Sequence, residues 1–238
     1  MNSDRKKQLK DYEKIIGVHF DRLEILNTAL THSSYANAQN LKYNEHNERL
    51  EFLGDSVLSM AVSDYLYKKY RTEHEGKLTR MRAGVVCESS LVEMAKKINI
   101  SKYIRMGKGE ELSGGREKDS LLADACEAVI AAIYFDRGFE SAREFVLGHL
   151  IEKINVIVKD NNYNDFKSKL QEYVQKNLMA TIKYNVKEES GPAHDKVFEI
   201  ELYLDNKCYG TGMGKSKKEA EQNAAKEALG NLGVKSND

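Results

Sequence analysis

One proline in 238 residues, no tryptophan, and only three widely separated cysteines set the first limits on this chain. With proline confined to position 192, long interrupted loops are not expected. Cys87, Cys126 and Cys208 are odd in number and form no C-x-x-C pair. That argues against a disulfide framework or a zinc site, and for a reducing cytoplasm. No apolar run approaches the ~18 residues needed to cross a bilayer. The opening MNSDRKKQLKDYEK lacks the apolar stretch of a signal peptide. Neither sign of charge is in excess, 37 basic against 37 acidic residues. A chain gripping nucleic acid over its whole surface would be basic, so any such role must rest on local patches. What remains is 41% hydrophobic and 31% charged, enough to bury a core in one large domain or two ordinary ones.

From Leu9 to Leu150 the apolar pattern is mainly helical. LEILNTALTHSSY reads as a short amphipathic helix breaking at Ser33-Ser34. A long helix is expected from Arg49 to Tyr70, tolerating Gly54. Ser90 and Glu93 form a capping-box pattern before LVEMAKKI. Residues 72–82 read as a solvated loop and helix start, and glycine-rich 107–120 as a loop. LLADACEAVIAAIYF, 121–135, carries only Asp124 and Glu127 as charges; a helix so apolar all round is normally buried. KDNNYND, 159–165, is polar and without periodicity, the best linker. Beyond it the pattern changes. FKSKLQEYVQKN is a helix, and TIKYNVKEE and KVFEIELYL alternate at period two, with Phe198, Ile200, Leu202 and Leu204 on one face. A tight Asp205-Asn206 turn leads to a third strand. Ser216 with Glu219 then caps a last helix whose Ala220, Ala224, Ala225, Ala228 and Leu232 make a small-residue face. The expected architecture is an all-α domain over 1–158, a linker at 159–164 and a small α+β domain, α-β-β-β-α, over 165–234.

HNERLEFLGDSVL places Glu48, Glu51 and Asp55 within about 60° on one helical stripe. Like charges at these spacings weaken a helix by a few tenths of a kcal/mol per pair. A solvated helix face is the plain reading of this stripe taken alone. That explanation is weaker for Asp124 and Glu127, because their helix offers little solvent face. Two such acidic segments suggest a shared cation, and all-oxygen ligands favour Mg²⁺ or Mn²⁺ over zinc. A di-iron bundle needs Glu-x-x-His on two helices, and none of the six histidines follows a glutamate at that spacing. GTGMGKS, 210–216, misses the phosphate-loop spacing by one residue and follows an antiparallel meander, so no nucleotide cofactor is expected. Lys215, Lys217 and Lys218 still sit at a helix start, where phosphate is attracted; a solvated basic turn is the competing reading.

NERLEFLGDSVL resembles the signature of the ribonuclease III family, and LLADACEAVIAA its second acidic segment. GPAHDKVFEIE and GTGMGKSKKEAEQNAAKEAL resemble a double-stranded-RNA-binding domain. The resemblance covers nearly the whole chain, in the family's bacterial order. It implies an Mg²⁺-dependent endoribonuclease acting on double-stranded RNA, with Mn²⁺ as a substitute, leaving 5′-phosphate and 3′-hydroxyl ends with two-nucleotide 3′ overhangs. It further implies processing of ribosomal RNA precursors and other structured transcripts. On this reading Glu51, Asp55, Asp124 and Glu127 are the metal-site acids, with Asp55 and Glu127 catalytic, and Glu48 and Glu75 subsidiary. Gln171, Gln175 and His194 match minor-groove contacts, and Lys217 and Lys218 the lysines on phosphates. Phe166 departs from the proline, tyrosine or alanine more usual there, which bears only on the linker-to-helix junction. A homodimer is implied, and residues of the Arg49–Tyr70 helix agree: Phe52 and Leu58 flank the acidic stripe while Leu50, Leu53 and Val57 lie opposite, so one apolar face needs a cover. A non-catalytic RNA binder on this scaffold would be expected to lack one of the acids, and none is missing. A metalloenzyme unrelated to nucleic acid would leave the α-β-β-β-α module unexplained.

Overall fold

The computed structural model describes the chain over residues 1–42, 44–163, 166–192 and 196–234, and divides it into two compact units, Met1–Ile157 and Val158–Asp238. In the first unit helices α1 (Ser3–Ile16), α2 (Leu23–Ala29), α3 (Ser33–Ala38), α4 (Glu48–Lys69), α5 (Glu75–Val85), α6 (Glu88–Lys97), α7 (Ile100–Tyr103) and α8 (Lys108–Leu112) precede α9 (Asp119–Tyr163). α9 is broken at Gly138, whose φ of 83° lies outside the helical region. Its first half is the centre of the unit: Ala125, Cys126 and every residue from Ala128 to Ile133 are fully buried, as are Leu58, Ala61 and Val62 of α4. Each large aliphatic side chain so buried contributes ~1.5–3 kcal/mol. The all-round apolar pattern of 121–135 thus has its expected consequence. In the described residues no helix is long and apolar enough to cross a membrane, and all three cysteines are free thiols.

Helix starts differ from expectation at several points, each for a local reason. α2 ends at Ala29, and Ser33-Ser34 open the next helix: His32 is the N-cap of α3, its Nδ1 accepting from the Ser34 N–H at 3.3 Å. α6 begins at Glu88 with Cys87 as N-cap. Ser90 lies one turn inside, buried, its hydroxyl 3.2 Å from the Cys87 sulfur, so it is not a cap. Segment 107–120 is more ordered than a loop, holding α8 and a 3₁₀ turn at Gly115–Glu117. Arg116 ties that turn to the Ser101 and Ile104 carbonyls, and Lys118 pairs with Glu110 at 2.6 Å. Across 159–163, where composition predicts a linker without periodicity, the backbone continues helical to Tyr163. Nothing between Lys159 and Tyr163 forbids a helix, for neither glycine nor proline occurs there.

The second unit follows the expected order: α10 (Phe166–Asn177), β1 (Ile182–Ser190), β2 (Val197–Leu204), β3 (Lys207–Gly214) and α11 (Lys217–Asn231). The strands form one antiparallel sheet in the order β1-β2-β3, with Leu204 opposite Lys207 around a two-residue turn. Asp205 adopts the left-handed φ of 51° that this turn needs. Ile200, Leu202 and Leu204 are buried with Leu170 and Val174 of α10 and with the alanine face of α11, while Phe198 and Leu232 pack at the edge. The glycines of GTGMG owe their place to this packing. A Cβ on Gly212 would lie 2.2 Å from the Ala220 oxygen, and one on Gly210 2.5 Å from the Ala224 oxygen. β3 and α11 are therefore in backbone contact. At the start of α11 the Ser216 hydroxyl accepts from the Glu219 N–H at 3.2 Å, and the Glu219 carboxylate reaches back to the Lys215 N–H at 2.8 Å, one residue earlier than a capping box requires.

Candidate functional site

The acids of α4 and α9 meet because two helices cross at a glycine. A Cβ built on Gly54 would lie 2.0 Å from the Glu127 backbone oxygen and 2.4 Å from its carbonyl carbon. Only a residue without a side chain lets α4 lie on α9 here. Gly54 adjoins Asp55 and follows Glu51 by three residues, so the contact brings the stripe of α4 beside Asp124 and Glu127 of α9. The electrostatics report the same proximity. Burial, then the charges of Asp55, Glu51 and Asp124, push the Glu127 carboxyl up to about 7. Burial raises Glu51 as well, with Asp124 and Glu48 adding to it. Asp124 is raised by burial and by Glu88, against a smaller opposing pull from His32.

No lysine or arginine is among the groups that shift these three carboxyls. The donor set is oxygen only, and the only basic group among the causes of these shifts is His32, acting on Asp124, which suits a hard divalent cation. Among the described residues no three His, Cys, Asp or Glu side chains close into a ready coordination shell. Carboxylates ~4 Å apart repel by about 4 kcal/mol at an effective dielectric of 20, which favours a spread arrangement. Glu48 and Asp55 are exposed; Glu51, Asp124 and Glu127 are partly buried. Glu75 opens α5, exposed, its carboxylate accepting from the Thr79 hydroxyl at 3.1 Å, and it does not enter the couplings above. Glu88 and His32, both acting on Asp124, belong to no regular stripe, so sequence spacing could not single them out. Gly54 could have been suspected, since a glycine in mid-helix has a cost of ~1 kcal/mol that packing must repay.

The apolar residues of α4 divide differently from the expected faces. Val57 and Leu58 both enter the core, Leu50 and Leu53 are half-buried, and Phe52 and Met60 are 79% and 59% exposed. Leu58 therefore does not share a face with Phe52. Their six-residue spacing rotates one from the other by about 120°. Phe52, with Phe135 of α9, lines an open cleft of about 720 Å³ that also takes in Leu50, Leu53 and His46.

In the second unit Gln171 and Gln175 stand exposed one turn apart on α10. They line a cleft of about 690 Å³ together with Lys167, Met179 and Tyr184. The Lys167 ammonium lies over the Tyr184 ring at 4.4 Å and pairs with Glu221 at 2.6 Å. Lys217 and Lys218, in the first turn of α11, are exposed. His194 lies outside the described residues.

A family model described as Ribonuclease-III-like matches residues 23–154, and one described as the double-stranded RNA binding motif matches 166–232. Ribonuclease 3 of Clostridium perfringens is 51% identical over 226 residues, covering 94% of each chain. Ribonuclease 3 of Clostridium beijerinckii is 51% identical over 221 residues, 93% of this chain and 94% of its own. Among solved structures, the nuclease domain of ribonuclease III from Campylobacter jejuni is 41% identical and superposes with a TM-score of 0.56, over 61% of this chain and 96% of that one. With its acids gathered at one helix crossing and a duplex-RNA-binding fold beyond them, the chain belongs to the ribonuclease III family of metal-dependent endoribonucleases.

Proposed function

We propose that Glu51, Asp55, Asp124 and Glu127 hold Mg²⁺, with Mn²⁺ as a substitute, and that Asp55 and Glu127 serve the chemistry directly. The observation that supports this is the Gly54–Glu127 backbone contact, together with the upward push that Asp55, Glu51 and Asp124 exert on Glu127. When bound, the cation supplies Lewis acidity for a water to attack a phosphodiester and for the leaving oxygen to depart. The chain's own part is to keep that water and the scissile phosphate beside a partly buried carboxylate set. Glu48 and Glu75 act as subsidiary acids toward the substrate. The products are 5′-phosphate and 3′-hydroxyl ends with two-nucleotide 3′ overhangs, and the substrates include ribosomal RNA precursors and other structured transcripts of the cytoplasm.

Duplex RNA hides its base edges in a deep, narrow major groove, so it is gripped by shape, 2′-hydroxyls and phosphates. Gln171, Gln175 and His194 serve the minor groove, and Lys217 and Lys218 the phosphates. We take 1–158 as the nuclease domain, 159–164 as linker and 165–234 as the binding domain. Two copies assemble about a two-fold axis, so that each cuts one strand. Exposed Phe52 beside the cleft it shares with Phe135 supports a self-complementary patch. The Campylobacter nuclease domain, for its part, has structural flexibility in a region involved in dimer formation. The deciding assay incubates purified protein with long duplex RNA. Cleavage to short duplexes is expected with low-millimolar Mg²⁺ and none with a chelator; metal-independent cutting would overturn the assignment.

A further inference from the structure

Glu189, near the end of β1, holds two lysines at once. Its Oε1 takes the Lys217 ammonium at 2.8 Å and its Oε2 the Lys196 ammonium at 3.4 Å. The arrangement follows from the register of the sheet. Glu189 pairs directly with Phe198 across β1 and β2, so both side chains emerge on the same face. Phe198 in turn pairs with Gly214, where a Cβ would sit 2.6 Å from the Ala220 nitrogen. That close approach fixes the start of α11 over this end of the sheet and brings Lys217 above the Phe198 ring, 5.5 Å from its centre. Lys217 is thus aimed by one cross-strand pair, with a ring beneath it and a carboxylate beside it. The Lys217 hydrogen bond also holds the Glu189 carboxyl below the ordinary glutamate range.

We propose that Glu189 is an internal counter-ion that competes with RNA phosphate for Lys217, and so determines how tightly the binding domain holds a duplex. This rests on the reading of Lys217 as a phosphate contact. The pair is exposed, and pairs of that kind are weak enough for an array of phosphates to displace. A lone anion competes less well, because a duplex offers several phosphates together while Glu189 is a single carboxylate shared between Lys217 and Lys196. The released carboxylate then faces the RNA as a repelling charge, and the net number of phosphates neutralised falls. The even charge balance of the chain, 37 against 37, fits a basic edge whose lysines are matched internally until RNA arrives.

The test uses the full chain in chelator, which allows binding without cleavage, and a duplex of about 30 base pairs, longer than the ~16 one such domain spans. Glu189→Gln should bind about two- to fivefold tighter, the range an exposed ion pair allows. Its salt dependence should steepen by up to about one phosphate contact. Glu189→Ala should show the same gain, with circular dichroism checking the fold of both variants. The gain should shrink in a Lys217→Ala background, vanish when Lys196→Ala is added, and persist in full with Lys218→Ala, since among the described residues the partners of Glu189 are Lys196 and Lys217. Unchanged or weaker binding by both Glu189 variants, while Lys217→Ala alone weakens binding, would overturn the competition and leave the phosphate contact standing. Undiminished binding by Lys217→Ala would remove the phosphate contact and the competition together.

Discussion

A carboxyl raised to about 7 keeps its proton over a range where the unfolded chain, with an ordinary glutamate near 4.5, has already released it. Without metal, Glu127 therefore stabilises the folded state most below about pH 4.5, and that contribution is lost as pH rises through about 7. Glu127→Gln, neutral at every pH, should melt above the wild type in chelator at pH 8, by about 2–4 °C for each kcal/mol of repulsion removed. Scanning calorimetry should show the difference shrinking toward pH 5; a constant difference would mean that Glu127 does not titrate as described. The same variant should lose cleavage by at least ~10²-fold while still binding duplex RNA. Metal needs the deprotonated form, so apparent metal affinity should rise with pH up to about 7 and each binding event below it should release a proton. At this scale the four acids of the proposed site stand out in sequence because spacing puts them on helical faces with no base on the same stripe. Glu88 and His32 do not, since only folding brings them to Asp124.

Two backbone approaches without side chains between them govern the elements. Gly54→Ala must push α4 from α9, because the atom in its way is the Glu127 backbone and cannot swing aside. Overpacking of this kind costs ~1–3 kcal/mol or more, and urea titration should show the nuclease domain weakened by that amount. Cleavage should fall further than stability alone explains, because displacing an acid by 1 Å can cost ~10² in rate. Duplex binding should survive. Gly212→Ala meets the Ala220 oxygen and Ala224 nitrogen at 2.2 Å. It should unfold the binding domain and abolish duplex binding while the nuclease domain's own transition persists. Periodicity identifies the longer helices but not α8, and the starts at Ser33 and Glu88 depart from their sequence signals, since a capping pattern in sequence competes with whatever tertiary bonds the same side chains find.

For the whole molecule, the exposed Phe52 ring is the sharpest point at which a second copy can be tested. Phe52→Asp should place a charge in the self-complementary patch and give monomers in sedimentation at micromolar concentration. Mixed dimers of wild type and Glu127→Gln should nick one strand of a duplex; clean double-strand breaks in a single binding event would mean one site serves both. A fragment ending at Val158 should fold and cut, but only at low salt. Its acidic cluster repels phosphate, and on the proposed reading the lost domain supplies most of the phosphate contacts. Equal activity of fragment and full chain at physiological salt would contradict that division of labour.

Sequence by itself determined the two-part architecture, the buried helix around Asp124 and Glu127, the three-stranded meander and the residue types of the proposed metal site. These follow from local periodicity and from chemistry that few residue types can perform. Tertiary structure alone decided that Gly54 is the crossing point of the two acid pairs, that Leu58 turns inward while Phe52 stays out, and that GTGMG is a packing surface against α11. It also decided that Glu189 reaches Lys217 across twenty-eight residues of chain. A carboxylate's charge can be read from its letter, but its neighbours depend on which backbones approach closely, and that is fixed by the packing of elements far apart in sequence.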